Sequence, residues 1–167
     1  MSPRIVAYTI AHNLRLLWWR VRRPNVYGTK AVVLNDRREV LLVRHTYAMR
    51  GLYMLPGGGY RLNEDPAEAA AREVVEETGV RLSGPMHLHG AFVETARGAR
   101  NHIHVYVGHA ETAAAPTADG QEIAEARWFA LDALPAKLSG PSAQRIIEVR
   151  DGLTPPSSEW RAEGSLA

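Results

Sequence analysis

Apolar residues along this chain fall in short β-branched runs bounded by polar turns, with one longer amphipathic stretch set between them. KAVVLND and EVLLVRH are two such runs, and the polar NDRR turn that joins them predicts a β-hairpin. MHLHGAFVE and NHIHVYVGHA predict a second strand pair around a TARGAR turn, and ARWFA predicts a last short strand. Between the pairs, PAEAAAREVVEETG has helical rather than strand periodicity. Asp65 suits its N-cap, Pro66 its first position, and Glu68 completes a capping-box spacing; Gly79 supplies the stop. A second helix is expected from Ser139 or Pro141 to Arg150.

Projected at 100° per residue, the first helix turns Ala67, Ala71, Val74, Val75 and Thr78 toward a core. Glu73, Glu76 and Glu77 fall within an arc of roughly 100° on the other side. Like charges at this spacing cost about 0.2–0.5 kcal/mol per pair, so the cluster predicts a cation beside it. Ala69 and Ala70 lie one turn earlier on nearly the same side, where they are either room for a metal and phosphates or simply good helix formers. Carboxylates without Cys select hard, oxygen-seeking cations, hence Mg²⁺ or Mn²⁺. Mg²⁺ commonly completes its shell with substrate phosphates, which points to chemistry at a diphosphate.

The wider spacing narrows this. Gly58 is followed after five residues by Glu64 and after seven more by Arg72-Glu73-Val74; Glu76-Glu77 and Gly79-Val80 complete the pattern. With every fixed position filled, the stretch resembles the Nudix box, and the chain is similar to Nudix hydrolases over roughly residues 28–150. The resemblance implies an α/β fold, an α/β/α sandwich around a mixed β-sheet, with the box as a loop-helix-loop cradling a diphosphate. It implies Glu76 and Glu77 as the main divalent-metal ligands, Glu73 as ligand or general base, and the Gly57 carbonyl as a further ligand. Arg72 and Glu64 match positions that orient the carboxylates, and the resemblance implies Gly58 as a substrate-binding position. The chain departs from the common box between Gly59 and Glu64, where YRLN replaces a hydrophobic-acidic-Pro-Gly turn.

The implied reaction is hydrolysis of a pyrophosphate linkage by water attack on phosphorus, in a nucleoside triphosphate, ADP-ribose or a similar nucleoside diphosphate linked to another group. Glu73 can serve as base; otherwise Glu94, Glu122 or Glu125, each following a strand-like segment, takes that role. Glu122 lies six residues before Trp128 and matches positions that in some similar proteins add a metal ligand. Arg44 closes a strand with His45 and could hold a phosphate bidentately, or stand exposed at the strand end. His102 and His104, like His87 and His89, alternate on one strand face; a transition-metal site would need a third ligand, and a solvated or groove-lining role is favoured. The rival to catalysis is a non-catalytic nucleotide sensor or scaffold, but such domains often lose box carboxylates, and Glu73, Glu76 and Glu77 are all present.

Composition changes the picture mainly at the ends. The chain has 167 residues, 46% of them hydrophobic, enough for one domain with a substantial core at 26–150. Residues 1–25 carry five arginines and no acid, leaving 15 basic against 18 acidic side chains, net −3, for the rest. This basic arm, helix-compatible through IVAYTIAHNLRLLWWRVRR, is too polar to span a membrane and lacks a cleavage site. It is expected to pack on its own domain or in a homodimer, in preference to seating Trp18 and Trp19 at a membrane surface. No nucleic-acid partner is expected, since the basic charge is confined to one short segment. Without Cys there are no disulfides, and a cytoplasmic location is expected. Residues 151–167 combine Pro, Ser and Gly and read as a tail, with Trp160 able to tuck against the domain.

Overall fold

The computed structural model describes residues 25–46, 51–61, 63–96, 99–111, 115–118 and 120–160. Its elements are β1 (Asn25–Leu34), β2 (Glu39–His45), α1 (Pro66–Thr78), β3 (His87–Ala96), β4 (Ala99–His109), β5 (Ile123–Ala130) and α2 (Gly140–Asp151). The expected basic arm lies outside the described residues, apart from Asn25 at the start of β1.

The strands form one mixed sheet in the order β3-β4-β1-β2-β5. β1 runs parallel to β4 over its whole length, from Asn25 opposite Arg100 to Leu34 opposite His109. A helix covers each face, which explains why the runs in β1 and β2 are apolar without alternation. On one face Ala31, Val33 and Leu41 pack with Val74 of α1 and with Val80. On the other, Val32, Val40 and Leu42 pack with Leu55, Phe92, Val105 and Ile146 of α2.

The β1–β2 hairpin forms only at its turn, where Leu34 faces Val40. Asn35 holds that turn by accepting from the amides of Arg37 and Glu39, both at 3.0 Å. Beyond it the strands part and the chain leading into α1 fills the gap. Val43 and Met54 exchange amide–carbonyl bonds of 3.0 and 2.9 Å on the β2 side. On the β1 side Ala31 N–H donates to Pro56 at 3.0 Å and Thr29 N–H to Gly58 at 2.9 Å. The Thr29, Ala31 and Val43 amides thus find partners in the wedge, as buried amides must.

α1 begins and ends where the sequence expects. Asp65 accepts from the Ala67 amide at 2.8 Å, Pro66 opens the helix, and Gly79 closes it with φ 69° while its N–H reaches the Val75 carbonyl. Its rotation about its own axis differs from the expected one. Ala69 and Ala70 are fully buried beside Val74, Thr78 and Glu77, whereas Val75 is 44% exposed. The two small alanines let the helix sit close on the sheet, so their role is packing, and this docking turns Glu77 inward.

α2 starts from an Ser139 N-cap and ends at Gly152, φ 65°. Within the segment read from composition as a tail, residues 158–160 return to the sheet. Val93 N–H donates to Ser158 at 2.7 Å, Trp160 N–H donates to Val93 at 3.0 Å, and the Trp160 ring meets Phe92 edge-on at 5.8 Å. No helix among the described residues is long and apolar enough to cross a membrane.

Candidate active site

The wedge and the last two turns of α1 build the site together. Gly57 adopts φ 137°, and a Cβ there would lie 2.2 Å from the Thr29 carbonyl oxygen, so only glycine lets the wedge lie this close to β1. This bend aims the Gly57 amide at the helix, where it donates to Glu77 Oε2 at 2.9 Å. Gly58 follows for a different reason: a Cβ on it would meet the Glu73 carboxyl at 2.6 Å. The glycines thus set the distance between the loop and the carboxylates.

The three glutamates share a helix side but not an environment. Their side chains are 9%, 16% and 59% exposed for Glu77, Glu73 and Glu76. Burial pushes Glu77 up to about 7, against the pull of Lys30 and the Gly57 amide. Burial also raises Glu73, with Arg72 opposing it. Arg72 gathers the rest of the row. Its guanidinium donates to Glu73 at 2.8 Å, to Glu76 at 3.1 Å and to Glu64 at 3.2 Å through two nitrogens. Glu64 is anchored in turn by the Arg61 amide at 3.2 Å, and this bond, with Arg72, holds its carboxyl below the ordinary range. Glu64, Arg72 and Glu73 line a polar groove of about 720 Å³ that continues past Gly59, Arg61 and Asn63.

One member of the site escaped the sequence reading. Lys30 leaves β1 beneath the wedge and donates to the Gly57 carbonyl at 2.9 Å and to the Leu55 carbonyl at 3.1 Å. Burial lowers its pKa, and the fields of Glu77, Glu73 and Glu122 oppose that. The signal was available: a lysine inside an otherwise apolar strand, GTKAVVL, is a misfit that a buried partner must answer. His45 Nε2 approaches Glu77 Oε1 at 4.0 Å from the end of β2.

Other expected members divide. Glu122 acts electrostatically on Glu77 and Lys30, and its carbonyl ties down Thr46 N–H at 3.0 Å. Arg44 donates to Glu125 at 2.9 and 3.3 Å. Glu125 is held below its ordinary range by hydrogen bonds from Tyr53 and Arg44, which makes it a poor proton acceptor. Glu94 accepts from Asn101 on the neighbouring strand at 3.1 Å. The histidine pairs do not assemble a centre: His102 stacks on Tyr27, His104 bonds Tyr60 at 2.9 Å, and His89 bonds Glu148 at 2.9 Å. Among the described residues no three His, Asp or Glu side chains stand in a ready-made metal cage. The carboxylates are instead engaged by Arg72 and the Gly57 amide. The donors around Lys30 are nonetheless all oxygen and already surround a cation, a set that fits Mg²⁺ or Mn²⁺.

Comparison with known proteins decides the family, because the NUDIX domain model matches residues 24–149. The chain belongs to the Nudix family. A relative from Bacillus subtilis (strain 168), a putative 8-oxo-dGTP diphosphatase, is 28% identical over 140 residues, covering 84% of this chain and 90% of its own. The ADP-ribose pyrophosphatase of Methanocaldococcus jannaschii is 29% identical over 104 residues, covering 62% and 61%. The crystal structure of a MutT NUDIX hydrolase from Burkholderia pseudomallei superposes with a TM-score of 0.65 at 27% identity, covering 75% of this chain and 98% of that one. The two-helix, mixed-sheet sandwich described above is therefore a Nudix fold, and the chain is a Nudix-type pyrophosphohydrolase by family.

Proposed function

We propose that this Nudix domain hydrolyses the pyrophosphate linkage of a nucleoside diphosphate joined to a further group, by water attack on phosphorus and with Mg²⁺ or Mn²⁺ as cofactor. The observation that carries the reading is the inward Glu77 carboxylate, buried on the helix face that meets the Gly57 loop and accompanied by Glu73 and Lys30. Several kcal/mol oppose burying an ion without a partner, so a fold that keeps this acid inside has use for it. Glu77, Glu76, Glu73, the Gly57 carbonyl and Glu122 are the residues that would hold the metal. When bound, a divalent cation supplies positive charge against the developing charge of the phosphoryl oxygens.

The chain's own residues do the remaining work. Glu73, as an alternative to holding the metal, is the carboxylate that would take the proton of the attacking water: burial raises its pKa, and Gly58 leaves room for it beside the loop. Arg72 and Glu64 hold the row in register, so that Glu73 and Glu76 do not swing apart. The polar groove beyond Gly59 offers Arg61 and Asn63 to a substrate's phosphates or sugar. The relatives named above act on 8-oxo-dGTP and on ADP-ribose by their names, so nucleoside triphosphates and ADP-ribose are the substrates to try first.

A panel of nucleotides, incubated with Mg²⁺, Mn²⁺ or chelator and assayed for released phosphate, pyrophosphate and nucleoside monophosphate, tests the reading. Metal-dependent cleavage between two phosphorus atoms of at least one substrate is expected. Tight binding across a broad panel with no turnover would favour a ligand sensor instead.

A further inference from the structure

Lys30 is one of two lysines in a chain with 18 arginines, and it is set between the buried Thr29 and Ala31 in the centre of the sheet. A cation at such a position is costly unless it is held, and the wedge holds it. The Leu55 and Gly57 carbonyls accept from its ammonium at 3.1 and 2.9 Å, and Glu77, Glu73 and Glu122 supply the negative field around it. All of these except the Leu55 carbonyl are groups that the proposed metal site draws on. The Gly57 carbonyl is the shared ligand, and Glu77, on the Gly57 amide at 2.9 Å, lies on the far side of the same peptide turn.

An ammonium and a divalent cation that share one carbonyl oxygen at contact distance repel each other, and in a partly desolvated site that repulsion is screened far less than in water. The side-chain type also matters. Lysine carries a compact ammonium on a flexible four-carbon stem, and it can give up two carbonyl bonds by rotating that stem; an arginine fork would be fixed by its plane and extra donors. A chain that otherwise uses arginine almost throughout has a lysine at this position, where a mobile point charge is called for.

We propose that Lys30 is the resident counter-ion of the carboxylate site: its ammonium occupies the Gly57 carbonyl in the metal-free protein and has to leave that oxygen when a divalent cation binds. The inference rests on the site being a divalent-metal site, as in the proposed function. It gives the metal-free domain a way to keep Glu77 and Glu73 charge-compensated, and it makes metal affinity depend on how strongly the lysine is held. Lys30 is a positioning residue here; it acts on the metal through a shared ligand.

The two lysines allow a direct test on the full chain. Reductive methylation with formaldehyde, followed by peptide mass spectrometry, reads the accessibility of Lys30, with the exposed Lys137 as internal control. Adding saturating Mg²⁺ alone is expected to speed labelling of Lys30 about tenfold or more and to leave Lys137 unchanged, since the ammonium loses both carbonyl partners. Equal or slower labelling of Lys30 in the metal-bound protein overturns the proposal. Calorimetric titration with Mn²⁺ supplies a second reading: Lys30→Met is expected to bind about tenfold more tightly than the wild type, because its competitor is gone. Unchanged or weaker binding overturns it. If Lys30→Met does not fold without metal, the labelling of the wild type decides alone. Wild type that binds Mn²⁺ while Lys30 stays protected contradicts this inference and leaves the hydrolase reading standing; wild type that binds neither metal removes both.

Discussion

Glu77 lives in conflicting surroundings: burial favours its neutral form, while Lys30 and the Gly57 amide favour the carboxylate. The balance lies near pH 7, well above the ordinary glutamate value of 4.5. The sign of the consequence follows from linkage. The folded state holds the proton more tightly than the unfolded chain, so stability is fully present below about pH 4.5 and is lost as pH rises through about 7, by about 3 kcal/mol at most. Urea unfolding of the metal-free protein across this range is expected to show that decline, and Glu77→Gln is expected to flatten it. A second residue-scale prediction concerns Gly58. Its added Cβ would collide with the far end of the Glu73 side chain and not with backbone, so Gly58→Ala is expected to keep its melting temperature within a few degrees. Turnover should fall by about 10–100-fold as Glu73 is displaced, which steady-state kinetics would measure.

At the scale of elements, local chemistry made α1 legible: the Asp65 cap, Pro66 and Gly79 each act within a few residues of themselves. Asp65→Ala is expected to lose about 1 kcal/mol, seen as a fall of about 2–4 °C in melting temperature. The helix's rotation was not legible, because hydrophobic projection weights Val75 over Ala69 and Ala70. Close docking on the sheet favours the smallest side chains, and the partner that draws Glu77 inward, the Gly57 amide, belongs to a loop 20 residues away. The β1–β2 hairpin shows the same division. Its turn was readable from NDRR, but the parting of the strands depends on a wedge whose course is set by one glycine at positive φ. Arg44, a candidate phosphate holder or exposed strand end, and Glu125, one of three alternative bases, face each other across β2 and β5; strand register, invisible in either segment alone, makes them a pair.

Across the whole molecule, the box spacing carried the family and the carboxylate row, while contacts between distant segments carried the rest. Pro, Ser and Gly after Asp151 give no periodicity, yet Val93 and Phe92 receive that segment and Trp160 joins the core on the α2 face. Trp160→Ala is expected to cost about 1–3 kcal/mol, less than a fully buried tryptophan, as a shift in the urea midpoint with the slope unchanged. The sheet, the wedge and α1 serve one arrangement, in which the buried Glu77 and the half-buried Glu73 are brought to a glycine loop beside a polar groove. Turnover of a cleavable nucleotide under saturating Mg²⁺, compared between wild type and Glu77→Gln of equal helical content, tests that arrangement most directly. Loss of the inward carboxylate is expected to lower kcat by about 10²-fold or more. A Glu77→Gln protein that turns over at the wild-type rate would contradict it.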